Sequence, residues 1–211
     1  GFAGTTSLDA ETFVREQAPA APTGSRTMKW NPGHYVVVGT NMGPAMIDRV
    51  LSETARFPWV KGIVIRTTWP QLEPTKGNYN FGSIEATLNK AAARGKRAFI
   101  LVGTKSFSGN DNAVPSYMRT GEYSGGAYKI AIKRGGYGEN MALHNNNVAN
   151  RLMALNQALA NRYNRNNNVE GIIYNETALG QAVNPLSSAQ RKVFFDNMAR
   201  VDIAANKAFA N

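Results

Sequence analysis

The segment Gly171-Ile172-Ile173-Tyr174-Asn175-Glu176-Thr177-Ala178-Leu179 decides the fold class of this chain. Its short apolar run, rich in β-branched residues, is typical of a buried strand in a parallel sheet. The run stops at the amide and the carboxylate of Asn175 and Glu176. An unpaired carboxylate just beyond a buried strand is costly to desolvate, which favours its protonated form and a role as general acid. The alternative is an acidic residue that is stabilised by the macrodipole of the helix that follows.

The same order of strand and helix occurs four times along the chain. Apolar runs predict strands over 34–39, 62–66, 97–103 and 169–174, and apolar spacing predicts helices over 44–55, 82–94 and 187–208 and from His144 through Leu159. This alternation indicates a parallel sheet covered by helices, either an open doubly wound sheet or a βα-barrel. No glycine-rich nucleotide-binding loop follows the first strand, which favours a TIM-type (β/α) barrel. The chain holds four βα units of such a barrel.

Composition limits the organisation and the location of the protein. The 211 residues, 43% of them hydrophobic, are enough for one domain with a core. Residues 1–30 have the composition of an extended arm, and residues 31–211 form the predicted domain. No apolar run reaches the roughly 18–20 residues that span a bilayer. The chain begins without Met and without a signal-like segment, so we expect a processed amino terminus and a secreted or periplasmic protein.

The charge is strongly basic, with 24 Lys and Arg against 14 Asp and Glu. Such a surface attracts polyanions in general. The basic residues are scattered and no nucleic-acid module is visible, so adhesion to anionic surfaces is favoured over specific nucleic-acid binding. Cysteine is absent, and the two histidines, His34 and His144, lie far apart in the sequence. We therefore expect neither a metal site nor a cofactor.

The second βα unit carries a family resemblance. The segment Ile65-Arg66-Thr67-Thr68-Trp69-Pro70-Gln71-Leu72-Glu73-Pro74-Thr75-Lys76-Gly77-Asn78-Tyr79-Asn80-Phe81 resembles the pattern R-x-x-W-x-x-L-E-P-x-x-G-x-Y-x-F. This pattern is found after the second strand of the retaining βα-barrel glycoside hydrolases, the clan of cellulase- and β-galactosidase-like enzymes. Their fourth strand ends in Asn-Glu, as at Asn175–Glu176. The resemblance covers about Trp30 to Leu179 and implies the N-terminal half of such a barrel.

The resemblance implies roles for individual residues in glycoside cleavage. Glu176 is the general acid/base, and Asn175 hydrogen-bonds the 2-hydroxyl of the sugar. Arg66 holds the nucleophilic carboxylate, with a salt bridge at the rim as the alternative. Trp69 is either a platform on which a sugar ring stacks or a residue that packs under the loop. Glu73, next to the turn at 74–77, is expected to be structural.

A long loop is predicted over 104–143, rich in Gly, Ser and Tyr. Loops of this length inside a compact domain are usually functional. Tyr117, Tyr123 and Tyr137 are candidates to line a glycan cleft, and a mobile surface hairpin is the alternative. His144, where this loop enters the next helix, is a further candidate for the substrate site.

The resemblance is incomplete. A full barrel takes about 250 residues and eight strand–helix units. Retaining cleavage needs a second carboxylate, which in the resembling clan follows the seventh strand, and none of the acids on the predicted loops (Glu73, Asp111, Glu122 and Glu139) has the right context. The chain is therefore a fragment of a larger hydrolase, a half-barrel that closes by dimerisation, or a protein with a different site.

Two functions follow from these alternatives. The first is a glycosidase that acts through Glu176 on a polysaccharide or oligosaccharide, either neutral or anionic. The second is a non-catalytic, basic half-barrel that binds glycans or cell-wall polymers. Either one leaves two sheet edges open, so we expect a homo-oligomer or a complementary half-barrel as partner.

Overall fold

A computed structural model describes residues 29–39, 42–109, 111–133 and 135–209. The predicted arm at 1–30 lies almost entirely outside these residues, so the boundary between arm and domain stays a prediction. The strands are β1 (His34–Val38), β2 (Val60–Thr68), β3 (Arg97–Gly103), β4 (Lys105–Ser106), β5 (Ala127–Ala131), β6 (Tyr137–Met141), β7 (Val169–Tyr174) and β8 (Gln181–Ala182). The helices are α1 (Pro44–Ala55), α2 (Trp69–Leu72), α3 (Gly82–Ala92), α4 (Asn146–Tyr163) and α5 (Ser188–Ala208).

The four predicted strands form one parallel sheet in the order β1-β2-β3-β7. Its register aligns Ile65, Ile100 and Ile172 across three strands. The predicted α/β architecture with a parallel, helix-covered sheet is therefore confirmed, and the sheet is not closed into a barrel. None of the described helices is long and apolar enough to cross a membrane.

Sequence signals fix the ends of the helices. α1 begins with a proline, whose missing N–H and fixed φ suit the first turn. The predicted capping box is present at the start of α5. Ser187 Oγ accepts from the N–H of Gln190, and Gln190 Oε1 accepts from the N–H of Ser187. At α4, the side chain of Asn145 accepts from the N–H of Asn147 at 2.8 Å.

One face of the parallel sheet forms the core with the helices. Ile63, Ile65, Ile100 and Val102 alternate along β2 and β3 and are almost completely buried. They belong to one apolar cluster with residues of all the longer helices, namely Leu51, Ile84, Leu88, Leu152, Leu155, Phe194 and Val201. This burial on one side gives the sheet its stability.

The other face of the sheet is apolar and open. We call it the open face, and it carries Val37, Phe99, Leu101 and Ile173. Val37 is 51% exposed, and the other three are only half-buried. β1 and β7 each pair with one neighbour among the described strands. In a closed barrel this face is the packed interior.

The interval 104–143 is not a loop, which corrects the sequence prediction. β4, β6, β5 and β8 form a second, antiparallel sheet in that order. Its strands are short and lie among glycines, so their alternation is weak in the sequence. Gly135 and Gly136 adopt positive φ values of 93° and 85° between β5 and β6, a conformation that few other residues tolerate.

The chain entering β1 is tied to the amino-terminal end of the parallel sheet. Lys29 Nζ donates to the carbonyls of Asn164, Asn166 and Val169 at 3.1, 2.8 and 2.7 Å. The carbonyls of Asn164 and Asn166 belong to the connection between α4 and β7, and that of Val169 belongs to the first residue of β7. Burial lowers the pKa of Lys29. The link joins the start of the described chain to a segment that is distant in sequence.

Glu73 has the structural position that the sequence suggested. Its side chain is completely buried and forms an ion pair with Arg151 of α4. It also accepts from Trp69 Nε1 at 3.0 Å and from the N–H of Gly77 at 2.9 Å. The carboxylate thereby joins α2, the turn at 74–77 and α4.

We predict that Glu73→Gln lowers the free energy of unfolding by about 3–5 kcal/mol, because it leaves the Arg151 guanidinium buried without its counter-charge. Urea unfolding followed by circular dichroism measures the loss. Glu53→Gln is the control, since Glu53 is paired with Arg49 on the exposed surface of α1. Its effect is expected to stay within about 0.5 kcal/mol. Equal effects of the two substitutions would contradict the structural role.

Candidate functional site

A cavity of about 530 Å³ lies at the carboxyl-terminal ends of β1, β2 and β3. This end of a parallel sheet is where α/β proteins place their ligands. Its lining includes a basic residue from each sheet, Arg66 and Lys105, together with Asp111 and the aromatic ring of Phe107. The remaining lining residues are Gly39, Met42, Thr68, Pro70, Gln71, Gly103, Ser106, Ser108 and Asn112.

Arg66 is exposed in this cavity. It lies near the carboxyl end of β2, on the open face of the sheet. Its side chain forms no hydrogen bond or ion pair with another described residue. The alternative interpretation of Arg66, a salt bridge at the rim, is therefore not seen among these residues. Its guanidinium is available to a carboxylate or to a ligand.

Glu176 is paired with Lys105, which corrects the expectation of an unpaired carboxylate. Lys105 Nζ lies 2.5 Å from Glu176 Oε2 and donates to the carbonyl of Ala178 at 3.0 Å. The side chain of Lys105 is only 2% exposed, whereas that of Glu176 is 38% exposed. Sequence analysis missed Lys105, because it belongs to β4 and nothing in the sequence marks that two-residue strand.

Asn175 fastens the end of β7 to the start of β4. Its Oδ1 accepts from the N–H of Thr104 at 3.2 Å, and its Nδ2 donates to the carbonyl of Lys105 at 3.3 Å. Both ends of the amide are thus bonded to backbone. The side chain of Asn175 therefore fixes the backbone at 104–105. A sugar hydroxyl that bonded to Asn175 would compete with these two hydrogen bonds.

The second sheet also holds the segment that follows Glu176. Asn140 Nδ2 donates to the carbonyls of Ala178 and Leu179 at 3.2 and 3.1 Å. The hydroxyl of Tyr128 donates to the carbonyl of Leu179 at 2.7 Å. Burial raises the pKa of Tyr128 to about 12, so its hydroxyl remains a donor. Sequence reasoning missed both residues.

Glu176 does not line the 530 Å³ cavity. It borders a separate apolar space of about 20 Å³ together with Met198 and Asp202 of α5. Burial raises the pKa of Asp202. Lys105 connects the two regions, since it lines the larger cavity and pairs with Glu176. Arg66 and Glu176 are therefore related through Lys105 rather than through one shared cavity.

Trp69 is a core residue, and its interpretation as a sugar platform is wrong. Its exposure is 0%, and its Nε1 donates to Glu73. A ring whose faces are covered by protein has no surface to offer to a pyranose. Of the two interpretations, the structure shows the packing one.

The tyrosines of the interval 104–143 do not share a cleft. Tyr117 accepts from Arg151 Nε at 3.2 Å and lies edge-on to Tyr123, which is 3% exposed. Burial raises the pKa of Tyr117. Tyr137 lies elsewhere on β6, 53% exposed beside Lys129. None of these three tyrosines lines the 530 Å³ cavity.

His144 is half-buried against the second sheet, outside the cavity. Its ring centroid lies 5.9 Å from that of Tyr128. Its Nδ1 is buried and has no hydrogen-bond partner among the described residues. Burial lowers the pKa of the imidazole below its ordinary value of 6.5. The described residues contain no cluster of three or more acidic or histidine side chains that could hold a metal ion.

Comparison with known proteins gives the family and supports the fold. The family model for the β-galactosidases of glycoside hydrolase family 42 matches residues 53–200. The structure of GH5_18 from Bifidobacterium longum subsp. longum has a TM-score of 0.54 at 14% identity, over 86% of this chain and 42% of that one. The β-galactosidase from the psychrophilic Marinomonas ef1 has a TM-score of 0.55 at 14% identity, over 82% and 26%.

A third structure supports the same fold, that of endo-glycoceramidase II from Rhodococcus sp., with a TM-score of 0.55 at 13% identity. Its alignment covers 77% of this chain and 41% of that one. The chain thus spans about two-fifths or less of the length of these structures. No curated protein sequence matches the chain significantly.

The lowered pKa of His144 predicts a pH dependence of stability. The unfolded chain takes up a proton near pH 6.5 that the folded chain resists, so stability is highest above that pH and falls as the pH drops below it. Denaturant unfolding at about pH 8 and about pH 5 measures the change, with His144→Gln as the comparison. The variant is expected to show a smaller loss at low pH. An identical loss in both proteins would assign the effect to other groups.

Proposed function

Because the chain belongs to the glycoside hydrolase family 42 of β-galactosidases, we propose that it is part of an enzyme that cleaves a glycosidic bond in an oligosaccharide or polysaccharide. One observation carries the proposal. Glu176 follows the fourth strand of the parallel sheet, and its carboxylate is held by the same lysine that lines the cavity at this end. A galactoside is the first substrate to test, in view of the family. We also propose that the protein acts outside the cytoplasm, secreted or periplasmic, which cell fractionation tests.

In this proposal Glu176 is the general acid/base. In its protonated form it gives its proton to the leaving glycosidic oxygen, and the resulting carboxylate, which pairs with Lys105, then takes a proton from the attacking water molecule. The ammonium of Lys105 lies beside Oε2, a buried atom without a hydrogen-bond partner among the described residues, and the 38% exposure of the side chain leaves the rest of the carboxyl group accessible to a substrate. Asn175 holds the end of β7 next to Lys105, because its side chain is hydrogen-bonded to the backbone of Thr104 and of Lys105.

Arg66 supplies the second element of the proposed mechanism. Its guanidinium points from the open face without a partner among the described residues, and its planar donors suit a carboxylate in two-point contact. In the resembling enzymes that carboxylate is the nucleophile. We propose that a second half of the barrel brings it to Arg66.

The open face supports the same conclusion about a second half. Val37, Phe99, Leu101 and Ile173 leave apolar surface in contact with solvent. Among the described residues no further strand pairs with the outer edges of β1 and β7. Covering this face by a second copy of the chain or by a complementary half-barrel would complete the eight strands of a barrel.

We predict that Glu176→Gln lowers the rate of galactoside cleavage by about 10²- to 10⁴-fold while glycan binding persists, because the amide keeps the shape and cannot transfer the proton. Release of nitrophenol from an aryl β-galactoside measures the rate in the protein assembled with the second half that brings the nucleophile to Arg66. Glu53→Gln is the control, because its carboxylate lies on the exposed surface of α1. An active protein in which Glu176→Gln has no effect would contradict the assignment.

A separate prediction concerns assembly. Multi-angle light scattering of the chain alone is expected to give a mass above that of the 22.9 kDa monomer, because the apolar open face is covered by a second copy. Val37→Asp, which places a charge on this face, is expected to shift the protein towards the monomer. A wild-type protein that stays monomeric at all concentrations would exclude the homo-oligomer and leave the complementary half-barrel.

Non-catalytic glycan binding is the second candidate function. The observation that favours it is that Asn175 and one oxygen of Glu176 are already engaged in internal contacts. This function predicts glycan binding without cleavage by the wild-type chain. The Glu176→Gln variant would then change the affinity only modestly.

A further inference from the structure

The charged groups around the 530 Å³ cavity balance one another. Arg66 and Lys105 line it as cations, and Asp111 lines it as an anion. Glu176 lies outside the lining and pairs with Lys105. The two positive and two negative charges leave no local excess. The formal net charge of +10 for the whole chain therefore does not extend into this cavity. A cavity without excess charge suits a neutral ligand better than an anion.

Phe107 gives this cavity an accessible aromatic surface. It directly follows β4 and is 51% exposed. The turn around it is fixed, because Ser106 Oγ donates to the carbonyl of Ser108 at 2.7 Å and accepts from the N–H of Ser108 at 3.1 Å. Lys105 Nζ lies 5.5 Å from the ring centroid.

The backbone at Phe107 is also packed closely on β6. A Cβ atom at Gly138 would lie 2.1 Å from the carbonyl oxygen of Ser106 and 3.1 Å from the Cα of Phe107. A side chain at position 138 would therefore displace this segment. The absence of one lets β4 and the start of the following turn approach β6. The ring is thus mounted on a fixed backbone, which lowers the entropic cost of ligand contact.

We propose that the cavity binds a neutral pyranose whose C–H face stacks on Phe107. The hydroxyl groups of the sugar are hydrogen-bonded by the polar groups of the lining, including Asp111 and Asn112. The volume falls within the range of about 300–1,000 Å³ that is usual for small-molecule sites. This inference rests on the proposed glycosidase function, and it assigns to Phe107 the platform role that Trp69 cannot have.

The test is binding of two probes to the full chain, measured by calorimetric titration. Methyl β-galactopyranoside is the neutral probe and sodium galacturonate the acidic one. Phe107→Ala is expected to weaken binding of the neutral probe by about 5- to 10-fold, as the loss of one aromatic contact implies. Phe107→Trp is expected to retain binding, since it keeps an aromatic face.

Phe195→Ala is the matched control. Phe195 is also a phenylalanine that is 51% exposed, and it lies on α5 away from the cavity lining. Its substitution is expected to leave the affinity unchanged. Thermal unfolding of each variant separates a binding effect from a loss of folding.

The outcomes separate this inference from the proposed function. Binding of the neutral probe that depends on Phe107 supports the inference even without cleavage, because the chain alone lacks the nucleophile that the second half is proposed to supply. Cleavage that is indifferent to Phe107→Ala supports the hydrolase and overturns the inference. Preference for galacturonate over the neutral probe, or no binding of either by the wild-type chain, also overturns it.

Discussion

The ion pair between Lys105 and Glu176 is the contact on which the arrangement of the candidate site depends. Lys105 belongs to the antiparallel sheet and Glu176 follows the last strand of the parallel sheet, so their contact joins the two sheets. A lysine that is 2% exposed is costly to bury unless its charge is compensated, and Glu176 together with the carbonyl of Ala178 provides that compensation. The position of the carboxylate and the position of β4 are therefore determined together.

The two sheets have different tasks in this architecture. The parallel sheet has its core on one side only, where Ile65 and Ile100 meet the helices, and it places Arg66 at its carboxyl end. The antiparallel sheet adds the polar groups of Asn140 and Tyr128, which hold the chain after Glu176. Binding residues are often found on loops that a rigid scaffold positions. Here the scaffold is made of two sheets.

The sequence predicted the parallel sheet well and the site only in part. Strands such as 97–103 are largely continuous apolar runs, because one face packs against the helices and the open face is also apolar, and this signal is strong and local. β4 is two residues long and pairs with β6 more than thirty residues away, so its position depends on contacts that a local pattern does not contain. Lys105 was missed for that reason.

The sequence left the choice between the two interpretations of Trp69 open for a different reason. The family pattern identifies the residue but not the direction of its side chain, and burial in the core depends on the neighbouring elements. Phe107, by contrast, lies in a Gly- and Ser-rich stretch where an aromatic residue has no periodic partners. Exposure of a large apolar side chain beside a cavity becomes informative only when the fold is known.

The three bonds of Lys29 also determine at which end of the parallel sheet the described chain begins. They fix its start at the amino-terminal end, whereas the cavity lies at the carboxyl-terminal end. A molecule that contacts the chain near Lys29 therefore approaches the sheet from the end opposite to the cavity and does not compete with a ligand for it.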